Sequence, residues 1–317
     1  MSARTVCVTG GAGFIGSHVA DALLERGHRV VIVDDLSSGR KENVPAAAEF
    51  HRLDIRSGEA AALIADAGIE VLVHHAAQMD VRRSVADPVH DASVNILGAL
   101  NLLEAGRKAG LRQVIFASTG GAIYGEQERF PADETHPTRP LSPYGVAKLA
   151  VERYLYFFHA EYGLDAVALR YANVYGPRQS PHGEAGVVAI FLDRLLSGRE
   201  ATINGDGLQT RDYVFVADVV AANIAVLGRK GFATFNVGTG RESTVVELYD
   251  RLAGAVGVSR PALHGPAKPG EQRRSVITSD LLAAELGIRP RVSLEDGLTR
   301  TAAWFSARHA GGEGPAH

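Results

Sequence analysis

Cysteine is nearly absent from this 317-residue sequence, where Cys7 stands alone. One cysteine can neither close an internal disulfide nor supply a structural zinc site, so a reducing compartment fits the chain. Its place in the apolar run Thr5-Val-Cys-Val-Thr9 marks it as a buried strand residue. Charge of one sign is also lacking. The 33 Lys and Arg against 36 Asp and Glu leave a net charge of -3. Such a chain carries no basic field of the kind that nucleic acid or anionic lipid requires, and neither partner is expected. Apolar runs are broken by Asp, Arg or Gly before they reach the length of a bilayer span. No charged segment followed by an apolar core and a small-residue cleavage site opens the chain. These absences lead us to expect a cytoplasmic protein without a membrane segment.

What is present is ordinary globular material, 46% hydrophobic and 22% charged. The length exceeds what one core usually supports, so a larger domain with a smaller attached lobe, and a cleft between them, is the expectation. Strand-length apolar runs alternate with helix-length segments: Thr5–Thr9, Ser17–Arg26, Arg29–Val33, Ala60–Ala67, Val71–His74. The rhythm continues with a helix around Ala92–Ala109, a strand Gln113–Ala117, a long helix from about Pro143 to Tyr162 and a strand Ala166–Leu169. This alternation predicts an α/β fold, a Rossmann-type doubly wound parallel sheet covered by helices on both faces. After Tyr175-Gly-Pro-Arg178 the chain turns rich in Pro, His, Gly and Glu before a helix near Val187–Ser197. The expected division is therefore 1–175 for the sheet domain and 176–317 for a smaller α/β lobe, with segments near 212–240 returning to the first. The terminal stretch Gly311–His317 is small and polar and is expected to fray.

The first strand runs into Thr9-Gly-Gly-Ala-Gly-Phe-Ile-Gly16, in which Gly10, Gly13 and Gly16 are spaced by three and a helix follows at once. Gly10 permits the tight turn, Gly13 lets backbone approach a pyrophosphate, and Gly16 lets the helix sit close to the sheet, with phosphates at the helix amino end. The second strand ends at Asp34, about twenty residues past the loop, where a carboxylate accepts from ribose hydroxyls and repels a 2′-phosphate. This favours NAD over NADP, with Asp35 competing for the role. Asp54-Ile55 and His75-Ala76-Ala77 follow later strands and are expected near the adenine and the linking phosphates. His74 and His75 are adjacent and point to opposite sides of a strand, so no metal site is expected.

Ser142-Pro-Tyr-Gly-Val-Ala-Lys148 opens a helix that puts Tyr144 and Lys148 on one face. The ammonium favours phenolate and, with the positive charge of oxidised nicotinamide, can bring the phenol toward the working pH as a general base. Upstream, Ser118-Thr119-Gly120-Gly121 arrives at the carboxyl end of the sheet, where a hydroxyl can hold a substrate alcohol. The same residues also fit a glycine-relieved turn capped by Ser118.

Four segments together resemble the extended short-chain dehydrogenase/reductases: the glycine loop, the Asp34-Asp-Leu-Ser-Ser-Gly39 turn, Ser118-Thr-Gly-Gly-Ala-Ile-Tyr-Gly125 and Pro143-Tyr-Gly-Val-Ala-Lys148. Within that family the chain is most similar to the UDP-glucose 4-epimerases. The likeness extends to Leu169-Arg-Tyr-Ala-Asn-Val-Tyr-Gly-Pro-Arg178, Pro181-His-Gly-Glu-Ala-Gly186 and Gln209-Thr-Arg-Asp-Tyr213, so it spans nearly the whole chain. It implies that Tyr144 takes the proton of a sugar 4′-hydroxyl while hydride passes to tightly held NAD, giving a 4-keto sugar that turns over and is reduced on its other face. It implies that Lys148 holds the nicotinamide ribose, that Asn95 supports this network, and that Phe14, Ile15, Ser37, Ser38, Gly39, Gln78, Ser118 and Tyr171 line the cofactor. Asn173, Val187, Arg211, Lys268, Glu271 and Ser275 match positions around the UDP-sugar. A homodimer through a four-helix interface is also implied, built on the helices near Ala92–Ala109 and Tyr144–Tyr162.

Three departures bear on the chemistry. The serine that many such epimerases set against the 4′-hydroxyl falls on Gly120, which leaves Thr119 to supply the hydroxyl. The acidic pair of the related 4,6-dehydratases falls on Gly120-Gly121, which disfavours elimination. The diphosphate-clamping arginine is Lys268, which keeps the charge and loses the fork. A bulky pocket tyrosine falls on Ser275, which leaves room for N-acetylhexosamines, and Arg178 offers a partner for a uronic acid carboxylate. A net oxidoreductase or dehydratase of the same fold, and a dinucleotide-sensing scaffold without turnover, remain open alternatives.

Overall fold

The computed structural model describes residues 2–181, 186–267 and 272–311. Strands β1 (Thr5–Thr9), β2 (Arg29–Val33), β3 (Glu49–His51), β4 (Val71–His74), β5 (Gln113–Thr119) and β6 (Asp165–Tyr171) join the strand Phe232–Val237 in one sheet. Every pairing is parallel, in the order Phe232–Val237, β6, β5, β4, β1, β2, β3. Strand order reverses between β1 and β4, and the crevice beyond their carboxyl ends is where this architecture takes its ligands.

The strands read as continuous apolar runs because both faces are covered. In β1, Val6 and Val8 face a core shared with α1 (Phe14–Glu25), while Cys7 between them faces the other side. Burial pushes the Cys7 thiol up to about 12, so it is a packing residue. The second face holds α2 (Gly58–Asp66), through Ile64, against Leu72 and Phe116.

After β4 the chain forms α3 (Val81–Ala86) and α4 (Pro88–Ala92), a π-turn over Ser93–Leu97, and α5 (Gly98–Ala109). This rod starts earlier than the apolar pattern near Ala92 suggests. Asp87 accepts the His90 N–H and Pro88 occupies the first turn, a start signal that polar surface residues obscure. Next come α6 (Gly120–Ile123), one turn after β5, and α7 (Pro143–Tyr162).

Beyond β6, Val187–Leu196 (α8) packs in a separate apolar cluster with the helices Val245–Ala255 and Leu294–Ala310. Between them α9 (Val216–Ala225) returns to the main sheet, where Val219 and Ala222 pack with Val19 and Leu23 of α1. Among the described residues no helix is long and apolar enough to cross a membrane.

Candidate active site

β1 ends at Thr9, and the chain turns through Gly10 at a φ of 68°, a left-handed conformation that favours glycine. A Cβ on Gly10 would lie 2.7 Å from the Ala76 backbone nitrogen, so the loop rests directly on the segment after β4. A Cβ on Gly16 would collide with the Gly10 carbonyl oxygen. No side chain caps the amino end of α1 at Gly13, so the N–H groups of Phe14 and Ile15 face outward as an anion cradle.

Asp34 lies against this cradle. Its carboxylate accepts the Ala12 N–H at 3.0 Å and the Leu36 N–H at 2.9 Å. Burial raises its pKa, and those two bonds oppose the shift. Asp35 is exposed and spends its carboxylate on the Ser37 N–H and hydroxyl, so of the two acids Asp34 borders the glycine loop. Ser38 is exposed beside it, and a Cβ on Gly39 would lie 2.7 Å from Asp34 Oδ1. Asp54 is held by Arg56, whose Nε lies 3.0 Å from both carboxylate oxygens, while Ile55 is buried under Gly98 of α5.

The two histidines separate as their adjacency requires. His74 Nδ1 lies 2.7 Å from Thr9 Oγ1 with its ring on Phe116. His75 stacks on Tyr171, its Nε2 3.2 Å from the phenol oxygen, which accepts from Asn223. Burial, aided by the Lys148 charge, lowers both to about 3, so both rings are neutral at ordinary pH. No cluster of three metal-ligating side chains occurs among the described residues. After Ala76 and Ala77, Gln78 and Asn95 exchange hydrogen bonds: Gln78 N donates to Asn95 Oδ1, and Asn95 Nδ2 donates to Gln78 O, both at 2.9 Å. Asn95 Nδ2 also donates to Asp91.

Ser142 caps α7 by accepting the Gly145 N–H, which places Tyr144 in the first turn and Lys148 one turn later. Lys148 Nζ is 5.8 Å from the centre of the Tyr144 ring and donates to the Ala117 carbonyl at 2.9 Å. Burial lowers Lys148 to about 8, and the attraction of Asp91 and Glu152 opposes it. Burial raises the Tyr144 phenol above its ordinary value, and Asp91 adds to the rise. Burial and Asp91 thus both favour the protonated phenol, and a positive charge or a hydrogen bond to the phenolate works against them.

Thr119 ends β5 and accepts the Ala122 N–H at 3.2 Å, which leaves its own hydroxyl proton to donate. A Cβ on Gly121 would lie 3.8 Å from both Thr119 Oγ1 and Asn173 Oδ1, so this glycine opens the space between the two. Ser118 gives its hydroxyl to Glu152 at 2.6 Å, in the core. A Cβ at Gly120 would lie 2.5 Å from Ile277 Cδ1, so a side chain there requires the end of Ile277 to shift.

Arg211 donates to the Thr210 carbonyl and pairs in register with Ser275, which is buried. Val187 is the first residue of α8. Lys268 and Glu271 lie outside the described residues. Arg178 forms an ion pair with Asp21 of α1 at 2.7 Å.

Sequence reasoning missed three groups. Asp91 is a buried carboxylate on α4 near Lys148 and Tyr144. Asp212 accepts from Thr239, Gly240 and Ile277 and is pushed up to about 6 by burial against those bonds. Glu152 and Arg170 pair in the core at 2.7 Å. A charged residue inside an apolar run, as Arg170 is in β6, was the available signal.

Residues 6–238 match the family described as NAD dependent epimerase/dehydratase. The chain is 48% identical over 305 residues to UDP-glucose 4-epimerase of Mycolicibacterium smegmatis, across 94% of this chain and 97% of that protein. The crystal structure of UDP-glucose 4-epimerase with UDP-glucose from Thermotoga maritima superposes with a TM-score of 0.94 at 48% identity, covering 96% of this chain and 99% of that one. The Thermus thermophilus UDP-glucose 4-epimerase complex with NAD gives 0.91 at 46% identity, over 95% and 98%.

Proposed function

This chain belongs to the NAD-dependent epimerase/dehydratase family, and on that premise we propose that it is an isomerase, a 4-epimerase of UDP-hexoses that interconverts UDP-glucose and UDP-galactose through a transient 4-keto sugar. What supports the reading is that Lys148, which lies 5.8 Å from the Tyr144 ring, donates to Ala117 of β5, two residues before Thr119, in the same sheet that presents the uncapped glycine loop. In this reading residues 1–175, with the stretch near 212–240, hold the cofactor, and 176–317 hold the nucleotide sugar.

The cradle fits NAD. Gly10 and Gly16 let the loop close tightly on the Ala76 backbone and on the start of α1, Phe14 and Ile15 offer N–H groups to a pyrophosphate, and Asp34 offers a carboxylate to the adenosine ribose. Asp54, Ile55, His75, Ala76, Ala77 and Gln78 border the rest of the crevice, and Lys148 holds the nicotinamide ribose. When bound, oxidised NAD supplies a reversible hydride acceptor for C4′. Tyr144 removes the 4′-hydroxyl proton as C4′ gives up hydride, and Thr119 donates a hydrogen bond to the same oxygen. The keto sugar then presents its other face, hydride returns to C4′, and Tyr144 returns the proton. Asn173, Arg211, Lys268 and Glu271 hold the nucleotide diphosphate and uridine while the sugar turns, and Val187 lines the same site. Gly120 and Gly121 offer no acid to expel a 6′-hydroxyl, which speaks against dehydration.

The deciding test is incubation with UDP-glucose, UDP-N-acetylglucosamine or UDP-glucuronate separately and without added NAD. The C4 epimer of UDP-glucose should form; substrate loss that begins only after NAD is added, with one NADH released per turnover, would replace this reading with net oxidation. Arg178 is engaged by Asp21, so UDP-glucuronate should be the poorest of the three. The small buried Ser275 favours a pocket that also takes N-acetylhexosamines. Ser275→Tyr should therefore cut turnover of UDP-N-acetylglucosamine by on the order of 10–100-fold relative to UDP-glucose. A wild-type enzyme that leaves UDP-N-acetylglucosamine untouched would refute the pocket argument.

The assembly proposed is a homodimer. Val89 is 79% exposed, Leu97 61%, Val146 51% and Phe157 47%, on the α4–α5 rod and on α7, which pack side by side. Such an apolar surface on two adjacent helices suits pairing with its copy in a four-helix interface. Sedimentation equilibrium showing a single species of 33.6 kDa would exclude it. We place the enzyme in the cytoplasm, where nucleotide sugars and a lone reduced thiol are both at home.

A further inference from the structure

We propose that the buried pair of Glu152 and Arg170 positions the reacting groups, setting the separation between Tyr144 at the start of α7 and Thr119 at the end of β5. The inference rests on the assignment of Tyr144 and Thr119 above, and it makes Glu152 a positioning residue rather than a group that touches substrate.

Lys148 and Glu152, one helical turn apart, both grip β5. Lys148 Nζ donates to the Ala117 carbonyl at 2.9 Å, and Ser118 Oγ donates to Glu152 Oε1 at 2.6 Å. The next residue of the strand is Thr119, and the preceding turn of the helix carries Tyr144. Arg170, register partner of Ser118 on β6, closes the frame. Its Nε donates to Glu152 Oε1 at 3.0 Å, its Nη2 to Oε2 at 2.7 Å, and its Nη1 to the Tyr124 phenol at 3.0 Å. Tyr124 directly follows α6, the turn that Thr119 caps, and donates to Asn236 at 2.6 Å. One planar guanidinium thus fixes the helix that carries Tyr144 and the turn that carries Thr119, in a geometry its fork makes rigid.

Stability alone does not account for this arrangement. Lys148, Glu152, Ser118, Arg170, Tyr124 and Asn236 are all buried, and a desolvated ion pair often holds a core no better than well-packed apolar residues of the same size. What the pair provides and apolar contact cannot is direction. Glu152 also belongs to the electrostatic surroundings of Lys148, which are Tyr144 and Glu152 on α7, Asp91 on α4, and His74 and His75 at the end of β4. The histidines are neutral, so Asp91 and Glu152 are the anions that favour the ammonium.

The test uses the full chain with NAD and compares wild type, Glu152→Gln and Arg170→Lys. We expect kcat for UDP-glucose to fall by about tenfold or more with KM little changed, as a small displacement of reacting groups predicts. Glu152→Gln should also move the alkaline limb of the kcat profile to lower pH, because one of the two anions that keep Lys148 charged is gone. A lowered Tm with unchanged kcat and an unmoved limb would overturn the proposal. If Glu152→Gln does not fold, Ser118→Ala removes a single rung: a several-fold lower kcat supports the frame, and full kcat refutes it. A crystal structure of Glu152→Gln supplies a readout without turnover. A changed distance between Tyr144 Oη and Thr119 Oγ1 is expected, and an unchanged one overturns the idea. If wild type epimerises no UDP-sugar, the functional reading falls, and that distance still decides the positioning.

Discussion

Tyr144→Phe is expected to lower kcat for UDP-glucose by about 10²–10⁴-fold, the range for losing a general acid–base, while NAD and UDP-sugar still bind. The substitution removes one oxygen and keeps the ring, so the packing at the start of α7 survives. The loss falls on the chemical step because no neighbour can replace the phenol. His74 and His75 are held neutral and engaged with Thr9 and Tyr171, and Lys148 donates to Ala117. Burial and Asp91 raise the Tyr144 phenol, so the positive charge of an oxidised nicotinamide beside it should strengthen it as a base. The sign of the alkaline limb follows from Lys148. Its amine is charged below about 8 and neutral above, so kcat should fall as pH rises through that region. Steady-state assays of wild type and Tyr144→Phe from neutral to alkaline pH measure both effects. Turnover at the wild-type rate in Tyr144→Phe would remove Tyr144 from the acid–base role, and absence of turnover in the wild type would return the chain to the class of dinucleotide-binding scaffolds.

Arg170→Met is expected to destabilise the fold by about 3–5 kcal/mol, because it strands the Glu152 carboxylate in the core without its partner. Glu152 would retain only the Ser118 hydroxyl. Replacing both residues, as Glu152→Leu with Arg170→Met, should recover much of that loss, since two apolar side chains of similar size leave no buried charge. Urea unfolding of the two single variants and the double variant gives the cycle. A single-variant loss below about 1 kcal/mol would mean that the carboxylate finds water or another donor, contrary to its burial. The recovery predicted here concerns stability only. The double variant should remain slow, since apolar packing lacks the directional hold on α7 and α6.

Much of this was legible in the sequence because its causes are local. The strands of a two-sided sheet are apolar throughout, and Gly10 must be glycine because its own φ and the approach of Ala76 require it. The i and i+4 spacing placed Tyr144 and Lys148 on one face of α7. Asp87-Pro88, which starts the α4 rod, was an equally local signal, but the exposed side chains that follow hide the apolar period. The choice between Asp34 and Asp35 was not legible, since it depends on which carboxylate meets the Ala12 N–H. What a side chain at 120 would meet is Ile277, far along the chain and brought in by Asp212 and the strand around Ser275. Arg170 gave a hint as a charge inside a buried strand, but its partner sits on another element and only the packed structure names it.

Ile277 also constrains how this site can evolve. It is wedged between Gly120 and Gly238, and a Cβ at either position would overlap it. A serine at 120 would have to displace the Ile277 side chain, so a smaller residue at 277 should make that replacement easier and the effects of the two changes should not add.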